Sequence, residues 1–227
     1  MFGIYSFPML LFISPALILA AWAQMKVKSS FAAASRQPAR MSGAAAARQM
    51  LNKMGLHDIQ IKQVPGFLSD HYDPRRKVLR LSQEVYHGQS MAAVGIAAHE
   101  AGHAIQDAQR YLPLVVRNLA VPAASFGSNG SFILLLLGVI FQFSPLVFLG
   151  IALFGCVVFF QLVNLPVEFD ASTRAKYELV ETGIVTQHEL PHVNKVLHAA
   201  AMTYVAATLQ AVLTLIYLIS SYTSNRR

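Results

Sequence analysis

The residues best suited to chemistry lie in one short stretch, residues 92–107, which reads AAVGIAAHEAGHAIQD. Its apolar positions recur at helical spacing. His99 and His103 are four residues apart, so both imidazoles leave the same face of the predicted helix and can hold a metal ion. Glu100 places a carboxylate beside the pair, where it can accept a proton from a metal-bound water and later pass it to a leaving amine.

The residues around this pair strengthen the interpretation. The spacing is the His-Glu-x-x-His of zinc proteases, and the intervening Ala101 and Gly102 are small enough for another backbone to approach closely. The alternative is an ordinary buried helix with two hydrogen-bonded histidines. We disfavour it because two histidines and a glutamate buried on an apolar helix without a partner are costly. The sequence therefore predicts a metal-dependent site with Glu100 as its catalytic base.

A zinc ion held by two histidines and a water needs a third protein ligand, and the candidates are Glu168 and Asp170. About 200° of helix separates these two residues, so only one of them can face the metal. We favour Glu168, in the first turn of a helix that Pro166 is expected to start. Ala171 and Ser172 then share its face and leave room for the histidine helix. The alternative role for Glu168 is a carboxylate stabilised by the helix dipole.

A second His-Glu-x-x-His pattern, at residues 188–192, is not expected to bind a metal. Pro191 precedes its second histidine, lacks a backbone N–H and disfavours helical geometry at Leu190. The imidazoles of His188 and His192 are therefore not expected to lie one helical turn apart. A helix that begins near Pro191 explains the segment better.

The composition is that of a membrane protein. Of the 227 residues, 55% are hydrophobic and only 13% are charged, which is too apolar for a typical soluble domain. The net charge of +7 is scattered between apolar runs, so it argues against nucleic-acid binding and favours contact with anionic lipid. Cys156 is the single cysteine, which excludes an intrachain disulfide and a cysteine-based metal site.

Three apolar runs, the second of which is long enough for two helices, predict four membrane crossings. The first is predicted to be a retained anchor rather than a signal peptide, because Lys26 and Lys28 follow it and no basic segment precedes it. The uncharged run at residues 119–167 is too long for one crossing, and we divide it at Ser144-Pro145. The predicted crossings are residues 4–23, about 122–143 with an entrance near 127–130, about 145–163, and 199–222.

Four crossings place both termini on one side of the membrane and the two polar segments on the other. Of the 18 Lys and Arg residues, 13 lie in the first polar segment, three in the second and two at the C-terminus. Basic residues favour the cytoplasmic side, so we expect a multi-pass protein of a bacterial-type plasma membrane with a cytoplasmic catalytic part. Arg226 and Arg227 argue the other way, more weakly. Small residues in the crossings permit an oligomer or a membrane-protein partner.

The first polar segment carries signals for a linker, a helix and two strands. Residues 29–47 lead into an amphipathic helix that Ser42 caps and Gly55 ends. Strands are predicted at residues 59–64 and 78–81, with a turn at residues 70–74.

The predicted fold is mainly α, with about four transmembrane helices, a zincin-like metal helix and a small β-hairpin in a membrane-attached catalytic domain. An edge strand beside the metal helix would hold an extended peptide substrate.

Other residues have weaker claims to a role. Asp107 lies one turn after the second histidine and is predicted either to orient a ligand imidazole or to be a solvated helix end. Tyr204 and His198 lie near the start of the last crossing, where a donor would stabilise an oxyanion. The alternative for both is an ordinary residue of the membrane interface. Arg174 is expected to pair with Glu178 rather than with a substrate carboxylate.

Several segments together resemble one family. The chain resembles the YugP-like family of membrane zinc metallopeptidases in four segments, which read LSDHYDPRRKVLRLS, AAVGIAAHEAGHAIQDA, NLPVEFDAS and HAAAMTYVAA. The layout also resembles that of HtpX-type membrane proteases, in which a membrane hairpin separates two histidines from a Glu-x-x-Ala pattern. Glu168 and Ala171 fit that pattern, whereas Ser172 stands where that group has an aspartate, so Ser172 is a candidate for a supporting contact. The resemblance implies a zinc-dependent endopeptidase with one Zn²⁺ held by His99, His103 and Glu168.

The sequence thus predicts a membrane zinc endopeptidase that acts on a protein or peptide, itself membrane-associated. One alternative is a site-2-type intramembrane protease, which Asn164, Pro166 and Asp170 echo, although the expected Asp-Gly is absent. The other is a non-catalytic membrane scaffold with a structural metal site. The predicted segments are a membrane helix at 1–23, catalytic parts at 24–118 and 166–198, a membrane hairpin at 119–165, and a membrane helix with the tail at 199–227.

Overall fold

The structure is a computed structural model that describes residues Phe7–Ser224. The described chain is mainly helical, with one small sheet. Residues 4–6 of the first predicted crossing and the terminal arginines lie outside the described residues. The elements are α1 (Phe7–Ser35), α2 (Gly43–Lys53), β1 (Gln60–Val64), β2 (His71–Asp73), β3 (Val78–Ser82), α3 (Gln83–His87), α4 (Met91–Ala108), α5 (Leu112–Ile140), α6 (Ser144–Glu181) and α7 (Leu190–Ser224).

The chain forms two compact units. One, which we call the membrane unit, comprises the described residues within Met1–Trp22, Val115–Leu165 and Met202–Arg227. The other, the α4 unit, comprises Ala23–Leu114 and Pro166–Ala201. Within the described chain, the four helices α1, α5, α6 and α7 are long and apolar enough to cross a membrane, which confirms the prediction of four membrane helices.

The membrane unit contains the hairpin formed by α5 and α6. α6 begins at Ser144, which Pro145 follows, so the break between the two helices falls where the sequence predicts it. Proline is well suited to the first turn of a helix. Their close approach depends on Gly138, where an added Cβ would lie 2.8 Å from the backbone nitrogen of Val147. Large apolar side chains face outward, as on a surface covered by lipid: Phe126, Phe132, Ile133, Phe148 and Phe159.

Two expected helix boundaries are wrong. Pro166 lies inside α6 and does not start a new helix, and α5 begins at Leu112, well before Pro122. Residues 127–130, expected at the membrane entrance of this crossing, lie within α5, and that expectation stays a prediction. Long apolar helices tolerate proline because its missing hydrogen bond can be compensated by neighbouring groups. α1 is also longer than expected, because it continues to Ser35 and so includes the beginning of the linker predicted at residues 29–47.

The sheet of the α4 unit has three strands in the order β1-β3-β2. β1 and β3, which correspond to the two predicted strands, pair in parallel and not as a hairpin. The hairpin of the sheet is formed instead by β2 and β3, which pair antiparallel. The expectation of a turn throughout residues 70–74 is therefore wrong, since His71–Asp73 form β2. The turn follows the strand: Asp73 Oδ1 accepts hydrogen bonds from the backbone N–H groups of Arg75 and Arg76, each at 3.1 Å.

The core of the α4 unit surrounds α4, most of which is buried. As predicted, Ser42 caps α2, where its hydroxyl accepts a hydrogen bond from the backbone N–H of Ala45 at 3.3 Å. Gly55 follows α2 with a φ of 72°, the left-handed conformation that ends many helices. Ser90 caps α4 in the same way as Ser42 caps α2, through the N–H of Ala93 at 3.3 Å. The two caps mark where α2 and α4 begin.

Candidate metal centre

The first requirement of the site is that α6 comes close to α4, and Gly102 allows it. An added Cβ at Gly102 would lie only 2.7 Å from the backbone oxygen of Ala171, so any larger residue would push the helices apart. Gly102 is one of the two small residues between the histidines. The approach of Ala171 brings the preceding turn of α6, with Glu168, onto the histidine face of α4.

Three side chains meet at this contact. Glu168 Oε2 lies 3.2 Å from His99 Nε2 and 3.6 Å from His103 Nε2. One potential ligand atom from each residue lies within 4.8 Å of the others, so the group could hold a metal ion. Glu168 is only 4% exposed and His103 9%. Two imidazole nitrogens and a carboxylate oxygen form the kind of ligand set that catalytic zinc sites use.

The outer nitrogens of both imidazoles also have partners. His99 Nδ1 lies 3.2 Å from Ser172 Oγ, and His103 Nδ1 lies 3.0 Å from Gln106 Oε1. These contacts occupy the Nδ1 atoms and leave both Nε2 atoms directed at Glu168, which fits the pattern of hydrogen-bonded metal ligands. The residues present therefore fit zinc. Ser172 was predicted as a supporting residue, and it lies beside His99.

Glu100 lies next to this cluster and is held by the edge strand β2. The backbone N–H of Tyr72 donates a hydrogen bond to Glu100 Oε2 at 3.1 Å. Desolvation raises the pKa of Glu100 to about 7; the charge of His99 lowers that pKa, and the charge of Glu168 raises it further. A carboxyl group with a pKa near neutrality can both accept and return a proton. The strand that the sequence did not predict thus supplies a contact to the candidate base.

The weaker candidates have different surroundings. Asp107 Oδ2 accepts hydrogen bonds from Tyr72 Oη at 2.9 Å and from Lys77 Nζ at 2.8 Å, instead of from a ligand imidazole. His198 is exposed on α7 within the α4 unit. Tyr204 belongs to the membrane unit, where its backbone oxygen accepts a hydrogen bond from the hydroxyl of a threonine one turn later. The oxyanion roles of His198 and Tyr204 stay predictions.

Asp170, the rejected ligand candidate, is bound elsewhere. Its Oδ2 accepts hydrogen bonds from Gln106 Nε2 at 2.8 Å and from Arg174 Nε. The expected pair between Arg174 and Glu178 is therefore wrong, and Glu178 instead pairs with Lys53 at 3.0 Å.

Gln106 is the residue of the site that was not predicted from the sequence. Its position three after the second histidine, on the same face of an apolar helix, was the available signal.

The second His-Glu-x-x-His pattern does not form a comparable cluster. His188 is exposed in the loop before α7, and His192 lies in the first turn of that helix. Glu189 Oε2 accepts hydrogen bonds from the backbone N–H and the hydroxyl of Thr186, both at 2.8 Å. The helix begins at Leu190, next to Pro191, as expected from the sequence.

A His-Glu-x-x-His helix whose third potential ligand is a carboxylate from another helix is the arrangement typical of zinc-dependent hydrolases. Residues 9–223 match the sequence profile of the family described as "Putative neutral zinc metallopeptidase", and the chain belongs to this family. It is 45% identical over 213 residues to "Putative membrane protease YugP" of Bacillus subtilis (strain 168), a match that covers 93% of this chain and 95% of that protein. The resemblance to the YugP-like family is thereby confirmed. No solved structure matches the chain.

Proposed function

We propose that this chain is a zinc-dependent membrane endopeptidase in which His99, His103 and Glu168 hold one Zn²⁺ and Glu100 is the general base. The observation that carries the proposal is the convergence of these three potential ligands beside the half-buried Glu100. The membership of a zinc metallopeptidase family supports it. A zinc ion bound here would supply a Lewis acid that polarises the scissile carbonyl and acidifies a water.

The protein groups perform the proton transfers of peptide hydrolysis. The Glu100 carboxylate accepts a proton from the attacking water as the new C–O bond forms. It then gives that proton to the amine nitrogen when the C–N bond breaks, so the base is restored. The N–H of Tyr72, 3.1 Å from Glu100 Oε2, restrains the carboxylate during both transfers. Ser172 and Gln106 hold the two imidazoles.

The substrate we propose is an extended segment of a membrane-associated protein. β2 is an edge strand of the sheet, and Tyr72 on that strand contacts Glu100. Edge strands bind extended peptides through main-chain hydrogen bonds. The distribution of Lys and Arg supports a cytoplasmic location for the α4 unit, which carries 15 of the 18 basic residues.

The contacts of Asp170 favour this mechanism over that of a site-2-type protease. Such a protease would use Asp170 as the ligand, whereas this carboxylate is bound by Gln106 and Arg174. Glu168 lies against both histidines. The surroundings of both carboxylates therefore support Glu168 as the ligand.

The variant E100Q tests the role of the base. We expect the purified full-length protein to keep its zinc and to cleave casein about 10²–10⁴ times more slowly, because the amide cannot accept a proton. E189Q, in the second motif, is the matched control and should cleave at the normal rate. Zinc content by mass spectrometry and cleavage by gel analysis give the two measurements. Normal cleavage by E100Q would contradict the role of Glu100. A parent protein that binds zinc but cleaves no substrate would instead favour a non-catalytic metal site.

A further inference from the structure

Gln106 is a fully buried polar residue on an otherwise apolar helix. Its exposed fraction is 0%, and it lies three residues after His103 on α4. A buried amide is costly unless its donors and acceptor are all satisfied. Those of Gln106 are satisfied by three different groups, which come from both α4 and α6.

The surroundings fix the orientation of the Gln106 amide. Nε2 lies 2.8 Å from the backbone oxygen of Val167 and 2.8 Å from Asp170 Oδ2, and both of these atoms accept hydrogen bonds. The NH₂ group must face them, because the amide oxygen would be repelled by both. The Oε1 atom is then the one that lies 3.0 Å from His103 Nδ1.

This orientation determines which nitrogen of His103 carries hydrogen. Since Gln106 Oε1 can only accept, Nδ1 must donate, and the neutral imidazole then has its lone pair on Nε2. Nε2 is the atom that faces Glu168, at 3.6 Å. His99 lacks such a constraint, because the hydroxyl of Ser172 can either donate to its Nδ1 or accept from it.

Arg174 completes the arrangement on the far side of Asp170. Its guanidinium donates to Asp170 Oδ2 and to Gln109 Oε1, and it lies 5.5 Å from the centre of the Tyr111 ring. Arg174 and Gln106 therefore donate to the same carboxylate oxygen of Asp170, Oδ2. A continuous series of contacts thus runs from Arg174 through Asp170 and Gln106 to His103.

We propose that Gln106 is a positioning residue that selects the metal-binding tautomer of His103, and that Asp170 acts on the site through Gln106. The inference rests on the metal site of the proposed function. It gives Asp170 a role that needs no contact with the metal. It also predicts that the polarity of residue 106, and not only its packing, controls the affinity for zinc.

Zinc affinity of the full-length protein in detergent, measured by competition with a chelator, tests this inference. Q106M keeps the length of the side chain but cannot accept from His103, and we expect zinc to bind about 10–100 times more weakly. H103A is the reference for the site itself and should bind no stoichiometric zinc. Q49M, an exchange on α2 at a glutamine that contacts a backbone oxygen of the α6–α7 turn, is the control and should bind normally.

A second pair of variants separates polarity from packing. Q106E still accepts from His103 but directs a carboxylate at Asp170, so we expect weaker binding than in the parent protein. Adding D170N supplies an amide donor to the introduced carboxylate, and Q106E/D170N should recover at least part of the affinity lost in Q106E. A purely structural role predicts that the double variant is no better than Q106E.

The outcomes distinguish this inference from the proposed function. If H103A loses zinc while Q106M binds as tightly as the parent protein, the role of Gln106 is overturned and the metal site stands. If H103A retains zinc at full affinity, the metal site itself is wrong and the inference falls with it. Weaker binding by Q106M, with recovery in Q106E/D170N, supports the inference. Thermal unfolding of the metal-free variants checks that each one is folded.

Discussion

The same His-Glu-x-x-His pattern occurs twice in this chain, and the two regions differ in three respects. Residues 99–103 lie within one helix, whereas residues 188–192 straddle the beginning of another. The fourth position is Gly102 in the first region and Pro191 in the second. A glutamate from α6 faces the first histidine pair. The His-Glu-x-x-His pattern alone therefore does not define a metal site. The site also needs a continuous helix, a small residue at the helix contact and a third ligand.

The two glutamates inside the motifs also differ in what they contact. Glu100 accepts from the N–H of Tyr72, and desolvation raises its pKa to about 7. Glu189 accepts from the backbone N–H and the hydroxyl of Thr186, and these bonds lower its pKa. This contact is half of a capping box, in which a glutamate satisfies the free N–H groups before a helix. The surroundings of Glu100 therefore suit the proton transfer proposed for it, while Glu189 accepts hydrogen bonds at the start of a helix.

The largest effect is expected from removing the third ligand. E168A should lose stoichiometric zinc and all cleavage, because two histidines remain for an ion that needs three protein ligands. E189A should keep both zinc and cleavage. D170A should fall between them, with zinc bound about 10–100 times more weakly through its contact with Gln106. Zinc content after dialysis against a weak chelator measures all three, and a loss confined to D170A would contradict the ligand assignment.

The next prediction exchanges the fourth residue of each motif. G102A should weaken zinc binding and cleavage by at least about tenfold, because its Cβ would meet the backbone oxygen of Ala171 at 2.7 Å and displace α6. P191A removes the proline from the second motif but supplies no third ligand. It should bind a single zinc ion, like the parent protein. A second ion in P191A would show that proline alone distinguishes the two regions.

A pH profile tests the difference between the two glutamates. Protonated Glu100 cannot act as a base, so cleavage should fall as the pH drops below about 7, approaching tenfold per unit. A bound cation lowers the pKa of a neighbouring carboxyl group, so the midpoint should lie at or below 7. Zinc content is measured at each pH to separate this loss from protonation of the histidines. The profile of E189Q should coincide with that of the parent protein.

The smallest effect is expected at the strand that holds Glu100. Y72F removes the hydrogen bond from Tyr72 Oη to Asp107 Oδ2 but keeps the backbone N–H that contacts Glu100. One such bond contributes about 0.5–1.5 kcal/mol, which corresponds to a change in kcat of about two- to tenfold at unchanged zinc content. D107N should have a similar effect, and the two changes combined should not add. Y86F, on α3, is the control, and a Y72F protein with parental kcat would show that Asp107 does not support the base.

Local features of this fold could be predicted from the sequence. The spacing of His99 and His103 is a property of one helix, and the four membrane helices follow from long apolar runs. Glu168 was favoured over Asp170 because only one of them can share a face with Ala171 and Ser172. The structure places Glu168 against the histidines and Ser172 against His99.

Features that depend on distant contacts could not be predicted. β2 has only three residues, and its pairing with β3 rather than its own composition makes it a strand. The path of α6 through Pro166 depends on groups that compensate the missing hydrogen bond. The partners of Gln106 lie 61 and 64 residues away in the chain, at Val167 and Asp170. No spacing rule connects such residues before the helices are packed.

X-ray diffraction from the zinc-loaded protein, recorded on both sides of the zinc absorption edge, tests the central claim most directly. We predict a single anomalous peak in contact with His99 Nε2, His103 Nε2 and a carboxylate oxygen of Glu168, at about 2.0–2.2 Å from each. Residues 188–192 should carry no peak. A peak at His188 or His192, or a zinc ion from which Glu168 is turned away, would contradict the account.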